Sequence, residues 1–347
     1  MAEVKEGPKA SPITFKPTQQ VSFAQAAFNS AVVNSKPTLT VEQAEDINEE
    51  LIPFRILISA LPEGGKTHFL CTFPSPIVII DTENRYKLIV KKFRTCNDCG
   101  KHWVSINKHP KTGKICGIIE CPHCGSKNTK IKDIRGIRCH TSKEAREAAK
   151  LAIKILDDHF EKTGQIGTIG VDNVSKVWDK TQHEYEAEKN LAINEKVLDP
   201  MSDYKHINPR HNEEFRDLLL GSRHNIVLIA TRKDIYSKEN RFEIVGTAAE
   251  GQKHNPYAVD WEISNEQGKI ILSNGKPVGN GIFTSYIIKN SYMPGSSIDP
   301  IQNLDYERLF GVRRKLLQAC GIVEMPSNGE MASTPSHQAK NSGENKQ

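Results

Sequence analysis

Four short runs of aliphatic and β-branched residues constrain this 347-residue chain more than any other feature. They are Arg55-Ile-Leu-Ile-Ser-Ala60, Ile77-Val-Ile-Ile-Asp81, Ile166-Gly-Thr-Ile-Gly-Val-Asp172 and Asn225-Ile-Val-Leu-Ile-Ala-Thr231. Continuous apolar strands, rather than alternating ones, bury both sides of their pleat, as in a parallel sheet covered by helices on both faces. Helical period and composition in Lys143 to Lys162, Val174 to Val197 and Pro209 to Leu220 supply the covering layers. Further on, Trp261 to Ser264, Lys269 to Leu272 and Phe283 to Lys289 read as antiparallel strands, with Asn274-Gly275 as a hairpin turn. The expected class is therefore α/β, mainly parallel, with antiparallel strands on the C-terminal side.

The flanks differ in composition. Residues 1–45 are rich in Pro, Ser, Thr, Lys and Gln and read as a flexible arm, although Val21 to Val33 has the apolar content to form a helix on a partner. Residues 325–347 are rich in Ser, Asn, Gly and Lys and read as a disordered tail, leaving 46–324 as the folded core. No run approaches the length of a membrane span, and the N-terminus MAEVKEGPKASPITF has no apolar signal region. The expectation is a soluble cytoplasmic protein, of a cell or of a virus-infected host.

Directly after the first run comes Ala60-Leu-Pro-Glu-Gly-Gly-Lys-Thr67, followed by a helical His-Phe-Leu-Cys-Thr-Phe. Against the phosphate-loop pattern G-x-x-x-x-G-K-[ST] it keeps Gly65, Lys66 and Thr67 and has Ala60 in place of the first glycine. Backbone N–H groups at a helix N-terminus cradle phosphate, a lysine reaches the β and γ oxygens, and a threonine hydroxyl binds Mg²⁺. The expected nucleotide-contacting residues are Glu63, Gly64, Gly65, Lys66, Thr67 and His68. Asp172, at the end of a buried strand, is the matching Mg²⁺ carboxylate. Its competing role is to cap the following helix, which Asn173 would serve equally well. Asp81 and Glu83 close the second run at i and i+2, which in a strand places both on one face. Glu83 is the candidate base for hydrolytic water and Asp81 the structural partner; both are alternatively solvated acids.

The formal charge of +5 excludes a polycation or an acidic tail, but its distribution says more. Between Arg85 and Arg138 lie 14 Lys and Arg against three acids, a local net of +11, while the rest of the chain nets −6. Five of the eight cysteines fall in the same segment. Cys96-x-x-Cys99 and Cys121-x-x-Cys124, separated by 21 residues and each followed by glycine, match two metal knuckles. Four thiolates bind Zn²⁺ tetrahedrally in a closed, structural site. The expected ribbon spans 94–130, with strands at Trp103 to Ile106 and Lys114 to Ile119. Its charge, with Tyr86, Phe93 and Trp103 interleaved, suits a phosphate backbone with occasional base stacking. A zinc-stapled spacer or protein-docking ribbon is the alternative.

The order of strand, phosphate loop, strand ending Ile-Asp-Thr-Glu83, strand ending Val-Asp172 and strand ending Ala-Thr231 resembles the RecA-like P-loop ATPases. Among them it is most similar to the compact ATPases of phages and archaeal viruses that act in single-strand annealing or recombination. The resemblance implies ATP and Mg²⁺ as cofactors, hydrolysis aided by Glu83, and a polar sensor at Thr231 and Arg232. It also implies that Lys289, in Tyr286-Ile-Ile-Lys-Asn-Ser-Tyr-Met-Pro-Gly295, reaches the nucleotide of a neighbouring subunit; a solvated strand-end lysine is the alternative. DNA-facing loops would fall near Asp199 to His211 and Arg232 to Tyr257. The expected activity is ATP hydrolysis coupled to sequence-independent DNA binding, on single strands, in a homo-oligomeric ring or filament working beside a replication or recombination protein. The rivals are an ATP-binding interaction module with little turnover and a packaging or helicase motor.

Overall fold

The structure, a computed structural model, describes residues 49–62, 64–87, 93–104, 106–108, 115–117, 120–189, 202–237, 243–267, 272–273, 276–277 and 283–322. The chain divides into residues 1–46 and 47–347, and every element below belongs to the second unit. The expected arm and tail lie outside the described residues.

The first strand, β1 (Arg55–Ala60), leads through the glycine-rich loop into α1 (Lys66–Cys71) and then β2 (Ile77–Asp81). The inserted module follows as β3 (Phe93–Cys96), β4 (His102–Val104), β5 (Ile106–Lys108), β6 (Ile115–Gly117) and β7 (Thr129–Ile131). The core resumes with β8 (Ile134–Arg138), α2 (Ser142–Thr163), β9 (Thr168–Asp172) and α3 (Val174–Glu188). Helix α4 (Tyr204–His211) runs on through a π-helical turn, Asn212–Asp217, to Leu220. Then come β10 (Asn225–Tyr236), β11 (Ile244–Ala249), α5 (Asn255–Ala258), β12 (Trp261–Gln267), β13 (Leu272–Ser273), β14 (Lys276–Pro277), β15 (Phe283–Asn290), β16 (Ile301–Gln302) and α6 (Tyr306–Ala319).

The main sheet has the order β16-β15-β12-β1-β10-β9-β2-β8, with β11 paired to the extension of β10. The strands from β12 to β8 are parallel, and β15, β16 and β11 are antiparallel additions. Strand pleating divides the core into two layers. Leu57, Val78, Ile80, Ile169, Val171 and Leu228 pack with α2, α3 and the 215–220 turn. Ile56, Ile58, Ile79, Val227, Ile229 and Ile263 pack on the other face with α1 and α6. All of these strand residues are fully buried, so burial on both sides of the apolar runs holds. A mostly parallel α/β sheet with helices on both faces is the architecture.

Three elements depart from the sequence expectation. Strand β8, Ile-Arg-Gly-Ile-Arg, joins the main sheet as an edge beside β2 rather than belonging to the insertion. Its exposed arginines suit an edge strand and hide it from a search for apolar runs. Strand β10 does not stop at Thr231 but continues to Tyr236 and turns back as β11, so much of the expected polar loop is an ordered hairpin. Helix α6 closes the second layer, with Leu309 and Leu317 buried.

Candidate functional site: a glycine-rich loop and a four-cysteine cluster

The carboxyl ends of β1, β9 and β2 bring the first group of residues together, at the edge where open α/β sheets bind their ligands. Gly65, the residue directly before α1, takes a left-handed φ of 74°. Gly64 is needed for space: a Cβ there would lie 2.5 Å from the Ala60 Cβ. Ala60 thus occupies room that a glycine at that position would leave open. The Lys66 ammonium folds back to donate to the carbonyls of Ala60 at 2.8 Å and Leu61 at 3.0 Å. Burial holds its pKa below the ordinary lysine value, while Asp172 and then Glu83 oppose that shift. Glu63 lies outside the described residues.

Thr67 Oγ1 donates to Asp172 Oδ2 at 2.7 Å, joining the loop to a residue 105 positions away. Burial pushes the Asp172 carboxyl up to about 6, Thr67 pulling it down and Glu83 and Asp81 adding to the rise. The cap of α3 falls to Asn173, whose Oδ1 accepts from Ser175 N at 2.8 Å, and Asp172 is left to face Thr67. The Asp172–Asn173 peptide is cis. Asn173 Nδ2 donates to Thr231 Oγ1 at 2.7 Å, so the strand-end threonine stands beside the same cluster. Arg232 reaches across the end of β1 to Glu266 Oε1 at 3.2 Å.

Asp81 is 2% exposed and accepts from the backbone N–H of Glu83, Asn84 and Tyr86 at 3.0, 2.7 and 3.3 Å. That is the structural role. Strand β2 ends at Asp81, so Glu83 is placed by the following bend and not by strand periodicity. It is partly exposed, pairs with Arg85 at 3.7 Å, and lies near enough to Lys66 and Asp172 to influence both. His68 follows in the first turn of α1, its ring 5.0 Å from that of Phe93. Lys289 is not brought to this cluster: it pairs with Glu262 at the other end of β12, and its ammonium donates to the carbonyls of Val259, Pro256 and Tyr257 at 2.7, 2.9 and 3.3 Å. There it caps α5.

Two supports of the loop were invisible in the sequence. Asn265 Nδ2 donates to Gly64 O at 3.3 Å, and Ser285 Oγ donates to Asn265 Oδ1 at 2.6 Å, with both residues buried. The contact spans 201 positions, and nothing local distinguishes these residues from other polar strand positions.

The second group is the four cysteines. The sulfurs of Cys96, Cys99, Cys121 and Cys124 all lie within 4.8 Å of one another. Cys96 and Cys124 are 3.6 Å apart and Cys99 and Cys121 3.5 Å. A tetrahedral Zn²⁺ with sulfurs at about 2.3 Å separates them by about 3.8 Å, so the donor set fits such an ion in size and chemistry. Each knuckle closes in the same way, Gly100 N on Cys96 O at 3.0 Å and Gly125 N on Cys121 O at 2.8 Å. Asp98 ties them together by accepting from Asn128 Nδ2 at 2.7 Å and from the Ser126 hydroxyl, and these bonds hold its carboxyl below the ordinary value.

The module's sheet is β4-β3-β7, with β5 and β6 as a separate hairpin. The aromatic residues expected to stack on bases are packed instead. Phe93 and Trp103 are 2% and 9% exposed, Trp103 against Cys96 and Cys121. The Tyr86 ring lies over Gly136. Lys132 is buried, and Arg94 is spent on Thr129. Lys111 and Lys114 lie outside the described residues. Of the residues in the expected loop 232–257, Lys233 and Tyr236 are exposed on the extension of β10, and Lys253 and Tyr257 are exposed separately, before and within α5. Tyr236 and Tyr257 are 52% and 79% exposed. Tyr204 and Arg210, from the other expected loop, are engaged with Gln182 and Glu188 of α3.

Compared with known proteins, the sequence matches no family model and no curated protein. Among the described residues no helix is long and apolar enough to cross a membrane.

Proposed function

We propose that this chain is a RecA-like P-loop ATPase that binds single-stranded DNA without sequence preference, and that its four cysteines hold a structural Zn²⁺. The observation that carries the nucleotide reading is the 2.7 Å contact between Thr67 and Asp172 directly after a Gly-Gly-Lys turn. Hydroxyl and carboxylate together are the oxygen pair that a hard divalent cation takes, with Lys66 one residue away for phosphate. A bound Mg²⁺ would neutralise charge on the phosphate oxygens. The chain's own residues do the rest. The amides at the start of α1 donate to the β-phosphate oxygens, and Lys66 turns from its two carbonyls towards the γ-phosphate. Glu83 orients and deprotonates the attacking water.

DNA binding is supported by the exposed Lys233 and Tyr236 on the extension of β10, which suit phosphate pairing and base stacking. The β10–β11 hairpin grows from the strand that carries Thr231, so a change at the phosphate end of β10 has a short path to it. The +11 segment supplies a second, mainly electrostatic surface. A homo-oligomer follows from the family resemblance.

ATP turnover with and without single-stranded DNA tests the proposal. DNA-stimulated hydrolysis that Lys66→Ala abolishes is the expected result. ATP binding without turnover under every DNA condition would overturn it in favour of a nucleotide-dependent interaction module.

A further inference from the structure

Among the described residues, two of the cysteine module and its junction, Phe93 and Lys132, touch α1. Phe93 opens β3, and Lys132 follows β7; Lys132 N donates to Phe93 O at 3.0 Å where the module leaves and rejoins the core. Each is 2% exposed. The Phe93 ring lies against His68 in the first turn of α1, with centroids 5.0 Å apart. The Lys132 ammonium donates to Cys71 O, the last carbonyl of the helix, at 2.8 Å. One end of α1 is therefore held by Phe93 and the other by Lys132.

Helix α1 needs outside support. It has six residues, no side-chain cap at Gly65 and no acid in its first turn. A helix this short is unstable on its own, and its terminal carbonyls require partners. Burial pulls the Lys132 amine down to about 7, and in either charge state its N–H satisfies one of these carbonyls.

The braces are in turn fixed by the cysteines. Cys96 lies three residues beyond Phe93 on β3, and β7 ends directly before Lys132. The two strands pair through Arg94 with Ile131, Thr95 with Lys130 and Cys96 with Thr129. Metal ligation at Cys96 would hold the strand pair whose register brings Phe93 and Lys132 to α1.

We propose that Phe93 and Lys132 are positioning residues, through which the metal-bound fold of the cysteine module holds the helix that carries Lys66 and Thr67. The consequence for nucleotide rests on the function proposed above, whereas the mechanical link stands on α1 alone. The ribbon is then a brace for the phosphate loop as well as an appendage.

Hydrogen exchange followed by mass spectrometry on the full-length zinc-loaded protein tests this. Removing zinc with a chelator is expected to speed exchange of the 66–73 amides about tenfold or more while α2 keeps its protection. Lys132→Met, with zinc content verified by a colorimetric assay, should do the same without losing the metal. Both forms should bind MgATP about five- to tenfold more weakly, and saturating MgATP should tighten equilibrium zinc affinity by the factor by which zinc tightens MgATP binding, as linkage requires. Unchanged exchange at 66–73 in the chelated protein and in Lys132→Met would overturn the proposal. Accelerated exchange in a protein that binds no MgATP in any form would leave the brace standing and remove the nucleotide reading. Should Lys132→Met fail to fold, Phe93→Leu keeps apolar burial but loses the ring contact, and its exchange decides the matter in the same way.

Discussion

Gly64→Ala is the sharpest perturbation of the glycine-rich loop after β1, because its effect can be worked out from one contact. The new methyl would lie 2.5 Å from the Ala60 Cβ and 3.0 Å from Leu61 O. Carbon atoms pack at about 3.5–4.0 Å, so the loop has to open by roughly an ångström. Overpacking of this kind costs about 1–3 kcal/mol. If the strain falls on the nucleotide-bound geometry, MgATP affinity drops about 5- to 150-fold, at tenfold per 1.4 kcal/mol. The second half of the argument is Ala60. Removing its methyl clears the closer of the two clashes, so the double variant Ala60→Gly/Gly64→Ala should recover much of the loss, although Leu61 O still resists. Equilibrium titration with a fluorescent ATP analogue, with thermal unfolding as a control for global stability, measures the cycle. Wild-type affinity in Gly64→Ala, or a double variant whose losses simply add, would refute the idea that Ala60 and Gly64 compensate for each other.

Other consequences follow from the same geometry. Burial raises the Asp172 carboxyl to about 6, so the folded chain holds this proton more tightly than the unfolded one. Its contribution to stability is full below the ordinary carboxylate range and is lost as pH rises through about 6. On the proposed function, cation binding has the opposite sign: Mg²⁺-dependent ATP affinity should fall as pH drops through that value, and Asp172→Asn should abolish the step in a pH titration of binding. Cys121→Ser should cut zinc stoichiometry from about one per chain towards zero and unfold the β4-β3-β7 sheet by near-ultraviolet circular dichroism. Reversing the charge of Lys108, Lys111 and Lys114 should flatten the salt dependence of single-stranded DNA binding, each lost phosphate contact changing the log–log slope by about 0.7. An unchanged slope would remove these lysines from the DNA surface. Lys289→Met strips three carbonyls of their donor and should lower the melting temperature by several degrees, about 1–2 kcal/mol in a domain of this size.

The apolar runs carried the central strands because a strand buried on both faces has to be apolar throughout. Strand β8 escaped because an edge strand, half in water, tolerates Arg135 and Arg138. The extension of β10 escaped because Arg232 to Tyr236 owes its strand form to pairing with β11, not to burial. Glu83 shows the limit of periodicity: its spacing from Asp81 means a shared face only while the strand lasts, and β2 ends at Asp81. Trp103 and Phe93 show the limit of composition, since aromatic residues among lysines serve either as stacking platforms or as the small core of a basic module. Burial assigns them to the core.

By itself the sequence determined the alternation of buried strands and covering helices, the Gly-Gly-Lys-Thr turn at the end of the first strand and the spacing of the four thiols. Each is a short-range property, set by pleat, helix period or the reach of a tight turn. Only the tertiary structure decided that Asp172 faces Thr67 while Asn173 takes the cap, that Asn265 and Ser285 support the loop from 200 residues away, and that Lys132 ends against Cys71. These contacts depend on strand order and on which buried polar atoms must find partners once water is excluded. No local pattern encodes that requirement.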